Sequence, residues 1–239
     1  MVFYSEMATS ASSASRVETV VRQLRQAVFE GRYPPGTPLR ELTLARDLSV
    51  SQATIREALQ RLQYTGLVTR TPNVGSTVTR LSVKEVKERV ELRALLEVMA
   101  ALEAAPKMGD VEFTELERRL AALDSAVASD SYYEAAQADL QFHRYIWQCS
   151  GNETLSRHLE LVTVPLFAFM SIVRSQGLEK LVNTVEGHLP LIEVLRSGDA
   201  GLIRVEFEKG ATSAYGRFLA PGQDHAVLSA LGLLEPLQR

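Results

Sequence analysis

From Ser82 onward the chain is a succession of long segments whose apolar residues return every three to four positions, and that periodicity limits the fold more than any other feature. Across residues 82 to 219, β-branched alternation is scarce and the i, i+3, i+4, i+7 spacing of a helical face dominates. Stripes of that kind bury themselves against one another, so the stretch predicts an all-helical bundle. The spacing places helices over 82–105, 110–129, 131–149, 152–174, 178–197 and 199–219. Pro106-Lys107-Met108-Gly109, Ser150-Gly151-Asn152 and Ser197-Gly198-Asp199 punctuate them. Pro165 and Pro190 fall inside the pattern and predict kinks or breaks. At 239 residues and 46% hydrophobic content, the chain can build proper cores without staples. A single cysteine, Cys149, leaves no intramolecular disulfide or Cys-rich zinc cluster and reads as a small buried hydrophobe.

Helical bundles place ligand sites among side chains that project inward from facing helices. The segment "QADLQFHRYIWQ" sets Asp139 and His143 one helical turn apart on one face. Three readings are open for the pair: a metal site, a catalytic acid/base couple, or two unrelated polar residues. His188, on the next-to-last predicted helix, adds a third group, making a carboxylate with two imidazoles. Such a set suits Zn²⁺, Mn²⁺, Fe²⁺ or Ni²⁺, with positions left for water or a ligand carboxylate. His158 and His225 have no comparable neighbour and read as surface residues. Phe142, Tyr145, Trp147 and the aromatics of "PLFAFM" at 165–170 read as core or pocket wall.

The first eighty residues differ in charge and pattern. Residues 15 to 80 hold ten Arg, no Lys and five acids, whereas residues 81 to 239 hold 16 basic and 23 acidic residues. A small Arg-only unit on an acidic body suits contact with phosphate at one end. Val17, Val20, Val21, Leu24 and Val28 mark one helical face, ended by Gly31 and Pro34-Pro35-Gly36. A short helix carrying Leu44 and Leu48 follows, then a helix capped by Ser51 with Ile55, Ala58, Leu59 and Leu62 inward. "GLVTRT", a turn and "STVTR" read as a hairpin. This order is that of a winged helix-turn-helix, whose capped second helix enters the major groove. Gln52 then suits adenine, and Arg56 suits phosphate or guanine.

"LRELTLARDLSVSQATIREALQRLQYTGLVTRTPNVGSTV" resembles the N-terminal domain of GntR-type bacterial transcription regulators. The resemblance implies DNA contact by Ser51, Gln52, Thr54 and Arg56 and by the wing residues Asn73 and Gly75. Gln52 stands where that family usually has a base-reading Arg, Ser49 where it has a turn Gly, and Leu42 where many relatives have another Arg. Residues 82 to 219 resemble the FCD-type effector domain of the FadR-like branch: Arg93 and Glu97, Asp139 and His143 before Gly151-Asn152, then His188 before Gly198-Asp199. That resemblance implies a metal at Asp139, His143 and His188, and an organic-acid effector met by Arg93 and Asn152. The family's further His falls at Gly210 here. The site is then an open three-ligand centre, a centre completed by Glu206, or a pocket that works without metal.

The expected architecture is therefore mainly α: a flexible tail over 1–14, a winged helix over 15–80, a helical effector-binding and dimerisation domain of six or seven helices over 81–220, and a C-terminal tail over 221–239. The expected function is a homodimeric, ligand-responsive repressor of a metabolic operon that reads a palindromic double-stranded operator. Its effector is a small carboxylate, held with the help of a divalent transition metal (Zn, Ni, Mn or Fe). A metal-dependent hydrolytic enzyme and a DNA binder without effector are the competing readings. The N-terminus lacks a signal-peptide pattern, and no apolar run approaches the roughly 20 residues of a membrane span, so the expected address is the cytoplasm, with no membrane partner.

Overall fold

The five apolar positions of the first predicted helix are all buried along α1 (Val2–Phe29) in a computed structural model of the protein. The structure describes residues 2–72, 74–129, 131–177 and 183–215, and the chain divides into two units, Met1–Arg80 and Leu81–Arg239. In the first unit α1 is followed by α2 (Glu41–Asp47), α3 (Gln52–Tyr64), β1 (Val68–Thr71) and β2 (Gly75–Val78). Helix α1 takes in residues 2–14, which the sequence analysis assigns to a flexible tail. The physical reason lies in composition: no Gly or Pro stands before Gly31, and alanine recurs, so nothing stops the helix from running outward.

Ser51 caps α3 as its position predicts, its Oγ accepting the Thr54 N–H at 3.1 Å. Ile55, Ala58, Leu59 and Leu62 face the core with Leu44 of α2, and Leu24, Val28 and Phe29 of α1 are buried with them. The hairpin pairs Val68 with Val78 and Thr71 with Gly75 in antiparallel register. An extended segment that the helix-and-turn reading does not foresee joins it: Pro38 bridges Thr77, and the Leu39 N–H donates to the Ser76 carbonyl at 2.8 Å.

Ser49, between α2 and α3, has φ +54°, the left-handed region that favours glycine. An L-residue held there costs about 1–2 kcal/mol, against about 0.5–1 kcal/mol of extra chain entropy for glycine. Ser49→Gly is therefore expected to stabilise the N-terminal unit by about 0.5–1 kcal/mol. Denaturant unfolding followed in that unit checks it, and an unchanged or lower midpoint counts against a strained turn.

The second unit comprises α4 (Val83–Ala104), a 3-10 turn (Ala105–Lys107), α5 (Asp110–Ala128), α6 (Tyr132–Cys149), α7 (Glu153–Ser175), α8 (Asn183–Glu186), α9 (Leu189–Ser197) and α10 (Ala200–Ser213). Ser82, Ser131, Asn152 and Asp199 supply side-chain caps at four starts, each the first residue of a helix that the spacing predicts. One predicted helix is divided: 178–197 becomes α8 and α9, and His188 is the residue that precedes α9 rather than a mid-helix residue. Pro190 explains the restart, since its ring suits a helix's first turn and excludes an interior position. The predicted end of α10 near residue 219 and the tail over 221–239 lie outside the described residues.

Pro165 behaves differently and sits inside α7 without ending it. A proline there cannot donate to the carbonyl four residues back, that of Leu161. Arg89 of α4 supplies the missing donor, its Nη1 lying 2.9 Å from the Leu161 carbonyl oxygen. Helix α7 is also long and apolar enough to cross a membrane, contrary to the sequence expectation that no run comes near that length. Of its most apolar window, 72% is buried inside the domain, as a core helix requires. Its inward residues Leu166, Phe169 and Val173 join Val86 and Val90 of α4 in one apolar cluster. A second cluster gathers Leu116 and Leu123 of α5, Phe142 and Ile146 of α6, Leu195 of α9 and Phe207 of α10.

Candidate functional site

The side chains of Arg93 (α4), Asp139 and His143 (α6), and His188 (before α9) are all buried, and together they line one cavity of about 270 Å³. Asp139 Oδ1 lies 3.0 Å from His188 Nε2 and 3.5 Å from His143 Nε2. One ligand atom from each of these three residues can be chosen so that all lie within 4.8 Å of one another. His143 Nδ1 stands 3.0 Å from Glu97 Oε2, which leaves Nε2 turned to Asp139 and the cavity. A carboxylate behind a ligating imidazole is the outer-shell arrangement that fixes ring orientation at metal sites. Phe142 packs edge-on against His188 with centroids 4.7 Å apart and against His143 at 5.7 Å, holding both rings. The donor set, its backing carboxylate and the adjoining cavity fit a divalent transition metal.

Charge in the site is balanced by contact. Glu97 receives Arg93 Nε at 2.9 Å, and Arg93 Nη2 reaches within 3.4 Å of His143 Nε2 while its guanidinium lies 5.0 Å over the Phe167 ring. Burial pushes the Glu97 carboxyl up, but the Arg93 charge and His143 outweigh it and hold the group at about 2. Burial likewise pushes Asp139 up, and His188, His143 and Arg174 bring it down to about 2. Both carboxyls are thus ionised at neutral pH. Burial raises the Tyr215 phenol, so its hydroxyl stays a neutral donor on the cavity wall.

The cavity does not gather every residue that the sequence suggests. Asn152 caps α7, accepting the Leu155 N–H at 3.0 Å, and is not among the cavity-lining residues. Its place between Gly151 and Glu153 is that of a helix start, so its side-chain oxygen is spent on the backbone. Glu206 pairs with Lys209 at 2.7 Å and does not line the cavity either. Gly210 does line it, and a Cβ there would meet only Leu191 Cδ2, at 3.6 Å. Arg93 forms an i,i+4 ion pair with Glu97 and at the same time lines the cavity as a cation. Sequence reasoning missed Arg174, a cavity-lining residue of α7 whose buried Nε has no hydrogen-bond partner. Its only signal is position, an arginine in the last turn of an apolar helix, which helix-end electrostatics explains equally well.

In the N-terminal unit, Gln52 and Arg56 are exposed on α3. Ser51 and Thr54 share a 2.8 Å hydroxyl contact at its start, so both are occupied in the cap. Arg56 Nη2 and Nε bind the Glu41 carboxylate at 2.9 and 3.4 Å, fastening α3 to α2. Gly75 opens β2 with φ +110°, and a Cβ there would meet no described atom within 4 Å, which suits a close approach by a large partner. Asn73 lies outside the described residues. His158 is exposed, as expected of a surface residue, and His225 lies outside the described residues. Cys149 is half-buried and burial pushes its thiol up, in keeping with an inert cysteine.

Residues 16–78 match the profile of bacterial regulatory proteins of the gntR family, and residues 88–205 match that of the FCD domain. The chain belongs to the GntR family. The GntR chain is similar to the probable D-xylose utilization operon transcriptional repressor of Paenarthrobacter nicotinovorans, 28% identical over 188 residues, covering 77% of this chain and 82% of that one. It is 32% identical over 146 residues to an HTH-type transcriptional regulator encoded in the TAR-I ttuE-ttuC' intergenic region of Agrobacterium vitis, covering 59% of this chain and 85% of that one. Among solved structures, E. coli McbR/YncC shares the fold with a TM-score of 0.72 at 20% identity, over 85% of this chain and 98% of that one. Members of the GntR family are transcription regulators, so the winged helix and the helical FCD domain belong to a regulator of gene expression.

Proposed function

We propose that this GntR-family protein is a homodimeric repressor, acting in the cytoplasm, whose FCD domain binds a small carboxylate effector through a divalent transition metal. The observation that carries the reading is the buried Asp139–His143–His188 set opening onto a cavity that two arginines line. Metal would be held by Asp139 Oδ1 and one ring nitrogen each of His143 and His188, and it would supply a Lewis-acid position for an effector carboxylate. Arg93, locked by Glu97, is placed to meet the same carboxylate with its remaining donors. Repression as the polarity is supported by relatives named as repressors, among them that of the D-xylose operon.

DNA reading falls to α3 and the hairpin. Gln52 has a free, exposed side chain at the helix start and suits a bidentate pair with adenine, so operator half-sites are expected to carry adenine there. Arg56, with Ser51 and Thr54, holds α3 in place and contacts phosphate, and Asn73 and Gly75 carry the wing to the backbone. Two copies are expected because one recognition helix reads too little sequence, and the palindrome mirrors the dimer's two-fold axis. The α4–α10 face supports that pairing. Leu92, Leu95 and Met99 stand exposed along α4, and Leu202 and Val205 along α10, the helix packed beside it.

The test begins with mapping the DNA that the protein occupies in its own cell, since the neighbouring genes restrict the acids to try. Purified protein is then titrated onto an occupied fragment with and without zinc and each acid. Affinity is expected to change about 5- to 150-fold, the range of a coupling of roughly 1–3 kcal/mol between two sites. Operator affinity indifferent to chelator and to every acid would sink the effector reading.

A further inference from the structure

The cavity carries more cationic capacity than one carboxylate needs. Asp139 on the cavity wall and Glu97 behind His143 are matched in number by Arg93 and Arg174, so these four groups sum to zero. A divalent ion on Asp139, His143 and His188 would leave the pocket two charges positive. Net charge in a low-dielectric cavity is costly, and a monocarboxylate would cancel half of it. A dianion would cancel it all.

The donors are divided in a way that suits two carboxylates. Arg93 is committed to Glu97 at 2.9 Å and lies over Phe167, so its remaining donors serve the side of the cavity next to His143 Nε2. Arg174 comes from a different helix, makes no ion pair with any described residue, and has a buried Nε without a hydrogen-bond partner. A buried guanidinium N–H left unmatched calls for an explanation, and a carboxylate accepting two parallel N–H donors is its best-fitting partner. Ser213 and Tyr215 line the same cavity. At about 270 Å³ the space falls just below the range of drug-sized pockets, so the ligand is short.

We propose that this pocket is built for a short-chain dicarboxylate, one carboxylate shared by the metal position and Arg93 and the other received by Arg174. The assignment rests on the reading of the cavity as a metal-dependent effector site, and it adds the ligand's charge and the residue that selects it. Arg174 discriminates between acids of equal length because a monoacid places a methyl group against its guanidinium.

Isothermal titration of the zinc-loaded full-length protein with malonate, succinate and glutarate, each against the monoacid of equal carbon number, tests the proposal. At least one diacid is expected to bind about ten-fold or more tightly than its monoacid, the increment of one charge-assisted contact. Arg174→Gln is expected to erase that difference by weakening the diacid far more than the monoacid. Equal binding of diacids and monoacids by the wild type would overturn the proposal, as would a variant that weakens both alike. The wild-type comparison stands even if the variant fails to fold. Zinc uptake with no binding of any acid would overturn the effector-site reading itself, a result distinct from binding without preference.

Discussion

Asp139→Ala is expected to strip the protein of metal, lowering affinity by more than about 100-fold, because removing even an outer-shell partner costs roughly 10–100-fold. Asp139 is the one anionic member of the three-residue set, and its Oδ1 lies 3.0 Å from His188 and 3.5 Å from His143. Two imidazoles alone supply neither the charge nor a third ligand for a divalent ion. The same change takes a buried carboxylate away from Arg174 and from the His143 and His188 rings, while Arg93 keeps Glu97, so the FCD domain should also lose stability. Elemental analysis of wild type and variant after identical purification reads the first effect, and thermal unfolding of the metal-free proteins reads the second. Equal metal in both proteins, or none in either after growth with added zinc, nickel, manganese or iron, would refute the metal assignment.

Leu95→Glu is expected to split the proposed dimer. Leu95 is 66% exposed on α4, between Leu92 and Met99 on the same face, and borders a groove with Arg204 and Glu208 of α10. In a two-fold interface each substitution occurs twice, so two unpaired carboxylates are buried together. Leaving a charge buried without its partner costs about 3–5 kcal/mol, which by itself weakens self-association by more than about 100-fold. Sedimentation at micromolar concentration should then show monomer, and gel shift should show operator affinity falling in parallel, since one head is lost from each complex. A dimer of undiminished stability, still binding the operator, would mean that copies meet through another face.

Much of this architecture was legible because its causes are local. Ser51, Ser82, Ser131, Asn152 and Asp199 each stand where a helix begins, and each caps through its own side chain within three residues. The apolar faces of α1 and α3 follow from spacing alone and are buried as spacing requires. At Asn152 the family resemblance implied an effector contact, whereas the structure shows the side chain capping α7. The local rule misled at the N-terminus, where serine-rich composition suggested a tail although nothing in it breaks a helix. At Pro165 the local rule was incomplete, because the donor that repairs the helix, Arg89, lies on another element.

The sequence by itself determined that Asp139 and His143 share a face, since four residues of helix place them there whatever surrounds them. It also determined α3, its Ser51 cap and the exposed Gln52. Only the tertiary structure decided what joins the acid and the imidazole. Glu97 stands behind His143 because α4 packs against α6, His188 arrives because Pro190 restarts a helix beside Asp139, and Arg174 enters the cavity from the end of α7. Gly210 lines that cavity and Glu206 turns away to Lys209, a difference set by which side of α10 faces inward. Contacts between groups tens of residues apart depend on how helices pack, and no periodicity within one helix encodes that.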